Sequence, residues 1–226
     1  MNEEPRTANE LMQEQFALFR RSLDELRGIL DRLQMGPASS DPRVTSFKDG
    51  IFCLELALIF YEEANRAVQA EAWFAASSIA SSALESVLLS KCFFEEDQIR
   101  KLPKFAQLKK NHKGDFGQFA RAQDLGKLLE IAAEVSWFPD SAGLPQIMTS
   151  ILSSHLEEGL LSDLILQFQG ITDVGRACAD HVRKYRNLLH PAVCLKEGQQ
   201  PSREGAIAIT FLFMIAFLSV ARASQS

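Results

Sequence analysis

The stretch AWFAASSIASSALESVLLS, residues 72–90, decides the fold class of this 226-residue chain. Its apolar and small side chains recur every three to four residues, which is the spacing of a buried helix face. The other long apolar segments share this spacing, and no run alternates between apolar and polar residues as a half-buried strand does. The sequence therefore predicts an all-α protein. Several small residues are expected to let a neighbouring helix approach this stretch closely: Ala75, Ala76, Ser78, Ile79, Ser82 and Ala83.

Gly and Pro divide the chain into predicted helices. These helices cover about residues 7–35, 47–69, 71–93, 124–136, 145–167, 170–190 and 203–222. The region from about 95 to 145 is the least regular, because Gly and Pro recur in it. Residues 192–202 are expected to form a loop, because Pro191 disfavours helix at His190 and so ends the preceding helix there.

The first predicted helix carries a heptad pattern, with apolar side chains at alternating spacings of four and three. They are Met12, Phe16, Phe19, Leu23, Leu26, Leu30 and Leu33. Two interpretations stay open: a long helix that lies on its own domain, or an arm that self-associates. The stretch MGPASSDPR (35–43) breaks the pattern. We therefore expect an N-terminal amphipathic helix at 1–36, a linker at 37–43 and a helical domain at 44–226.

Composition excludes several classes of protein. Hydrophobic residues at 46% and charged residues at 23% are typical of globular proteins and rule out wholesale disorder. A net charge of -5 argues against coating nucleic acid through the overall field, although it leaves room for a local basic site. The four cysteines show no paired spacing, which favours free thiols in a reducing cytosol over a zinc module. We expect a cytoplasmic protein without a signal peptide, metal or cofactor.

The segment AIAITFLFMIAFLSVA (206–221) carries no charge over 16 residues. As a helix it reaches about 24 Å, whereas the hydrocarbon core of a bilayer is about 30 Å thick. The segment is therefore expected to be a buried core helix. A short C-terminal membrane anchor is the alternative.

The segment ADHVRKYRNLLHP, residues 179–191, carries the chemistry. In an ideal helix of about 100° per residue, Arg183, Arg186, Asn187 and His190 share one stripe. An imidazole accepts a proton near neutral pH, so His190 is a candidate to activate the 2′-OH of RNA. Either arginine is a candidate to stabilise the charge on the transition state, with no metal required, and Asn187 to orient the imidazole or hold phosphate. The alternative is the solvated face of an amphipathic helix.

Within this segment, RKYRNLLHP (183–191) resembles the signature of HEPN-like domains, in which four to six residues lie between an Arg and a following His, often with a polar residue after the Arg. Six residues separate Arg183 from His190, which fits. Arg186 and Asn187 match the Arg–polar pair, but only three residues follow Arg186 before His190. Either Arg183 is the motif arginine, or the local variant RNxxHP has shifted it. The stretch 72–90 is similar to an Ala-rich helix with a Leu–Glu pair in many bacterial members.

The resemblance implies a helical bundle around two long antiparallel helices, dimerising so that the two motif helices face each other. Many members of the family are metal-independent endoribonucleases that act as toxins or in phage defence. We accordingly expect an endoribonuclease with a composite site at a homodimer interface, and an antitoxin or defence-system partner protein. The alternative is a noncatalytic helical module that binds a nucleotide, RNA or a protein and assembles as a homodimer.

Two further features are tied to this hypothesis. Residues 99–113 hold six basic residues and no acidic one, and Lys104, Lys109 and Lys110 are candidates to bind RNA phosphate. A solvated loop that balances the preceding acidic residues is the alternative. Glu85 lies among apolar residues, where a carboxylate needs a partner. We expect it to pair with Arg183 or Arg186 across the bundle and to fix that arginine.

Overall fold

The computed structural model describes residues 8–34, 41–103, 105, 114–138, 171 and 173–222. All regular elements in these ranges are helices, which confirms the all-α prediction. They are α1 (Ala8–Gln34), α2 (Pro42–Gln69), α3 (Trp73–Phe94), α4 (Glu96–Ile99), α5 (Phe116–Arg121), α6 (Leu125–Glu134), α7 (Val174–Leu188), α8 (Pro191–Glu197) and α9 (Arg203–Arg222). The predicted helix at 145–167 lies outside the described residues.

Helices α2 and α3 form an antiparallel hairpin. Only residues 70–72 join them, so α3 returns along α2. The two backbones approach closely at Gly50, where a Cβ atom would lie 2.6 Å from the ring of Phe94. At the same level the Ser90 hydroxyl donates a 2.8 Å hydrogen bond to the Gly50 carbonyl. Glycine is thus required there by the space between the helices.

Helix α3 is the centre of the bundle, because it packs against α2, α7 and α9 and also contacts α4, α5 and α6. The expectation for its small residues is half right. Ala76 and Ala83 are fully buried, whereas Ala75 and Ser78 are exposed. Ala80, in the same buried face, had not been included. The sequence therefore predicted a close-packed helix correctly, but not which side faces which neighbour.

Aromatic side chains fill the rest of the core. Tyr61 of α2 packs on Phe213 and Phe217 of α9, with ring centroids 6.2 and 5.6 Å apart. The uncharged segment 206–221 is therefore a core helix, and the side chains described for it are almost all buried. Across the described part of the chain, none of the helices combines the length and the apolar character needed to cross a bilayer.

Helix α1 lies on α2 in the antiparallel direction, because its arginines meet carboxylates in reverse order. Arg20 pairs with Glu62, and Arg27 pairs with Glu55 at 2.8 Å. Leu23 of the heptad pattern is buried in the core. In the structure α1 thus lies on α2 of the same chain, and self-association of this helix stays a prediction. The side chains of Met12, Phe16 and Phe19 are outside the described residues.

Three details of the predicted helices change. The helix expected at 124–136 is preceded by a separate short one, α5, and the side chains of Asp115 and Asp124 cap α5 and α6 by accepting from Gln118 N and Lys127 N. The loop expected at 192–202 is wrong over its first half, which forms helix α8. In addition, α2 begins at Pro42, inside the segment expected to be a linker.

Candidate functional site

Helix α7 is held in place by its apolar face and by one tyrosine. Asp173 caps its first turn by accepting from Arg176 N. Toward the other end, the Tyr185 hydroxyl donates a 2.7 Å hydrogen bond to the carbonyl of Ser202, just before α9. Gly205 makes room for the tyrosine ring, since a Cβ atom there would lie 2.7 Å from it. The C-terminal end of α7, which carries the predicted site residues, is therefore fixed against α9.

His190 does not belong to α7, contrary to the prediction that this helix runs to residue 190. The helix ends at Leu188, and His190 adopts an extended backbone with φ -90° and ψ 123° as the N-cap of α8. The cause is Pro191, whose ring disfavours helix at the preceding residue and whose fixed φ suits the first position of a new helix. Ideal helical geometry therefore no longer fixes where His190 lies relative to Arg183, and their shared stripe stays a prediction.

Glu85 and Arg186 form the expected contact across the bundle. The Arg186 guanidinium donates from Nη1 to Glu85 Oε2 at 2.7 Å, joining α7 to α3. The two side chains are 38% and 29% exposed. Glu85 is thereby satisfied among its apolar neighbours, and Arg186 is held in one position with its charge largely balanced.

Arg183 lies in a different environment from Arg186. Its nearest described carboxylate is Asp180 on its own helix, at 3.5 Å from Nε. Its side chain runs beside the first turn of α6, where Cδ lies 3.6 Å from the Cβ position of Gly126. One turn of the same helix thus carries one arginine tied to α3 and one arginine packed against α6.

Asn187 and His190 are both exposed at the end of the bundle. His190 makes no side-chain hydrogen bond to the first turn of α8, the place where an N-cap residue commonly makes one. Within the described residues, the site is therefore an open surface at the α7–α8 junction. Arg186 is anchored at its edge, and the imidazole stands clear of the helix it precedes.

The sequence prediction did not single out His181, which lies on α7 near Arg183. Burial lowers the pKa of its imidazole, and the nearby Lys184 lowers it further, while Asp180 acts in the opposite direction. His181 is therefore kept neutral at physiological pH. The sequence signal for His181 is its position within the segment 179–191, but in the helical projection it does not lie on the stripe of Arg183 and Arg186.

A buried lysine was also missed. Lys91 near the end of α3 is 6% exposed, bonds Glu95 at 3.3 Å and lies under the ring of Trp137. The Trp137 indole in turn donates a 2.6 Å hydrogen bond to Glu95. Burial lowers the pKa of Lys91, and the neighbouring Glu95 opposes this shift. The cluster closes one end of the bundle.

The basic segment 99–113 is only partly described. Lys104, Lys109 and Lys110 lie outside the described residues, as does His112. Arg100 bonds Glu96 at 2.5 Å and lies over the rings of Phe105 and Phe116. Arg100 is therefore engaged in the fold, which agrees with the alternative that this segment balances the acidic residues before it.

The described residues contain no group of three or more His, Cys, Asp or Glu side chains arranged to hold a metal ion. The four cysteines carry free thiols. Burial raises the pKa of Cys53 to about 11, and it also raises the pKa of Cys92 and of Cys178. These three thiols are therefore protonated at neutral pH and belong to the core.

Comparison with known proteins gives no relative for this chain. No family model, no curated protein and no solved structure matches it. The chemistry of the α7–α8 junction must therefore be argued from its own residues.

Proposed function

We propose that this chain is a HEPN-like protein that cleaves RNA without a metal ion, as toxins and phage-defence nucleases of that family do. The observation that supports this most is the unequal use of the two arginines. Glu85 holds Arg186, while the ion pair described for Arg183 is with Asp180 of its own helix, at 3.5 Å. Six residues lie between Arg183 and His190, which fits the family pattern. Arg183 is accordingly the motif arginine in this proposal.

The chemistry assigns one step to each group. The His190 imidazole removes the proton of a ribose 2′-OH, and the 2′-oxygen attacks the adjacent phosphorus. The bond to the 5′-oxygen breaks, leaving a 2′,3′-cyclic phosphate on one product and a 5′-hydroxyl, protonated by solvent, on the other. The Arg183 guanidinium stabilises the added charge on the phosphoryl oxygens. Asn187, exposed between them in sequence, holds a non-bridging oxygen.

The full chain incubated with a mixture of structured and unstructured RNA tests this proposal. His190→Ala and Arg183→Ala are each expected to lower the cleavage rate by about 100-fold or more. The wild-type rate is expected to be the same with and without a chelator. Lys184→Ala is the matched control, because Lys184 is an exposed cation of the same helix turn and is expected to leave the rate nearly unchanged. Unaltered cleavage by His190→Ala, or no cleavage by the wild type, would contradict the proposal.

The resemblance also implies a composite site shared by two copies. Mixing Arg183→Ala with His190→Ala protein tests it, because one of the two sites in a mixed dimer would then be intact. Recovery of part of the wild-type rate supports a shared site, and no recovery supports a site within one chain. The basic segment with Lys104, Lys109 and Lys110, and an antitoxin or defence partner, belong to this same proposal.

A second candidate function is a noncatalytic module that binds RNA, a nucleotide or a protein. It is favoured by the position of His190 beyond the end of α7 and by the carboxylate beside each arginine. RNA binding that survives His190→Ala but weakens with Arg183→Ala, without any cleavage by the wild type, would identify it. Cleavage of RNA by the wild type, and its dependence on His190, therefore separate the two candidates.

A further inference from the structure

Helix α2 exposes large apolar side chains along one face. Phe52 is 57% exposed and Ile59 is 52% exposed, which is unusual for residues of this size in a globular domain. They are seven residues apart and share a helix face, with the half-buried Leu56 between them. These three residues are called the α2 stripe.

Among the described residues, the neighbours of α2 leave this stripe exposed. The opposite face of the helix is buried against α3, and Tyr61 on that face packs on α9. On one side, α1 runs along α2 and is tied to it through Glu55 and Glu62. The α2 stripe lies beyond these two glutamates. It is also separate from the α7–α8 junction, since α7 packs against α3, α6 and α9.

The charges that flank the α2 stripe are self-complementary. Lys48 precedes Phe52 by four residues, and Glu63, which also pairs with Arg66 at 2.8 Å, follows Ile59 by four residues. A twofold axis beside Leu56 would set Phe52 of one copy opposite Ile59 of the other. The same register sets Lys48 opposite Glu63. Each of these pairings occurs twice across such an axis, because the interface is isologous.

We propose that the α2 stripe binds a second copy of this chain, with the two α2 helices antiparallel about a twofold axis beside Leu56. The apolar side chains supply the driving force, since they leave water on association. The flanking charges fix the register, because a slip along the helix sets like charges together. A protein using this contact and also the face-to-face arrangement implied by the HEPN resemblance would form an assembly larger than a dimer.

Sedimentation equilibrium of the full chain over a concentration series tests the apolar part. The wild type is expected to self-associate, and Phe52→Ser with Ile59→Ser is expected to weaken that association by about tenfold or more. Phe74→Ser is the matched control, since Phe74 is an exposed phenylalanine on α3, 46% exposed, and is expected to change nothing. Circular dichroism checks that each variant folds. A monomeric wild type, or an unchanged association of the double variant, overturns the inference.

A charge exchange tests the register. Lys48→Glu sets a carboxylate opposite Glu63 and is expected to raise the dissociation constant by about three- to tenfold. Adding Glu63→Lys to this variant restores the opposite charges, and Glu63→Lys alone, which also loses the pair with Arg66, completes a double-mutant cycle. The coupling between the two changes is expected to be about three- to tenfold in the dissociation constant, and its absence overturns the proposed register. Neither experiment depends on RNA cleavage, so it separates this inference from the proposed function.

Discussion

Two ion pairs along helix α3 differ in what surrounds them. The closed pair, Lys91 with Glu95, has side chains 6% and 23% exposed, and Trp137 covers it while donating to the carboxylate. The open pair, Glu85 with Arg186, joins α3 to α7 at 2.7 Å but leaves both side chains about a third exposed. A closed pair fixes one conformation, because neither charge can be left alone away from water. An open pair can part, because water can replace either partner and an anion can take the place of Glu85 beside Arg186.

The largest effect that would test this difference is on the closed pair. Glu95→Ala leaves Lys91 buried without its carboxylate and Trp137 Nε1 without its acceptor, and it is expected to lower the free energy of unfolding by about 3 kcal/mol. Urea unfolding measures this loss. Lys91→Met combined with Glu95→Gln removes both charges and is expected to recover most of it. A loss under about 1 kcal/mol, as for a surface pair, would erase the distinction.

The next effect tests how tightly α2 and α3 pack near the closed pair, at the end of the hairpin away from residues 70–72. Gly50→Ala would set a Cβ atom 2.6 Å from the ring of Phe94, and it is expected to cost about 2 kcal/mol through overpacking. Gly28→Ala in α1 is the control, because its Cβ position meets only the far end of Arg32 at 3.8 Å. That change is expected to stabilise by up to about 1 kcal/mol. Thermal unfolding of both variants distinguishes them, and equal behaviour would contradict the packing described.

A smaller effect concerns how the free energy of unfolding depends on pH through Cys53 of α2. Burial raises the pKa of Cys53 from its ordinary 9.0 to about 11, with Asp49 adding to the shift and Arg121 opposing it. The unfolded chain therefore loses this proton first, so the contribution is fully present below pH 9 and is lost as pH rises toward 11. From about pH 8 to about pH 9.5 it falls by about 1 kcal/mol.

Cys53→Ala isolates that contribution. The variant is expected to show a shallower decline of unfolding free energy over the same range, whatever its stability at neutral pH. Lys91 acts in the opposite direction, because its lowered pKa makes its contribution grow as pH rises toward 10.5, but it does so equally in both proteins. Parallel pH profiles for the wild type and the variant would contradict the assignment.

The smallest effect on stability is expected at the open pair. Glu85→Ala should cost about 0.5 kcal/mol, since a partly exposed pair contributes little. Under the proposed function, the same change frees Arg186 for phosphate, so the affinity for RNA is expected to rise, with a steeper dependence on salt. Fluorescence anisotropy with labelled RNA over a salt series measures this. A stability loss as large as that of Glu95→Ala would show that the open pair is structural.

The all-α class could be predicted from the sequence because helices α3 and α9 are almost free of charged residues. A helix without a polar face has to be buried, whatever its neighbours are. The partner of Glu85 was predictable for the same reason, since a carboxylate among apolar residues needs a cation. Lys91 was missed because the cover that buries it, Trp137, comes 46 residues later in the sequence, and a lysine in a last helical turn ordinarily lies in solvent.

The α7–α8 junction differs from the prediction because Pro191 has two effects. Proline disfavours helix at the residue before it, and it also suits the first position of a new helix. Between two helices, His190 is left extended, and a helical projection no longer applies to it. Which small residues of α3 are buried could not be predicted from the sequence either, because this depends on where α7 and α9 pack against α3.

Helix α8 has one more consequence, for how this molecule can change over time. None of its residues is buried, and Gly198 ends it in a left-handed conformation with nothing close to it. The Tyr185–Ser202 hydrogen bond joins the end of α7 to the residue just before α9, so it closes the segment that contains α8. Residues can therefore be exchanged or inserted near Gly198 at little cost to the bundle, since lengthening a surface loop costs little entropy. The surface beside His190 is free to diversify, and Gly198 is a suitable position for a label or a grafted peptide.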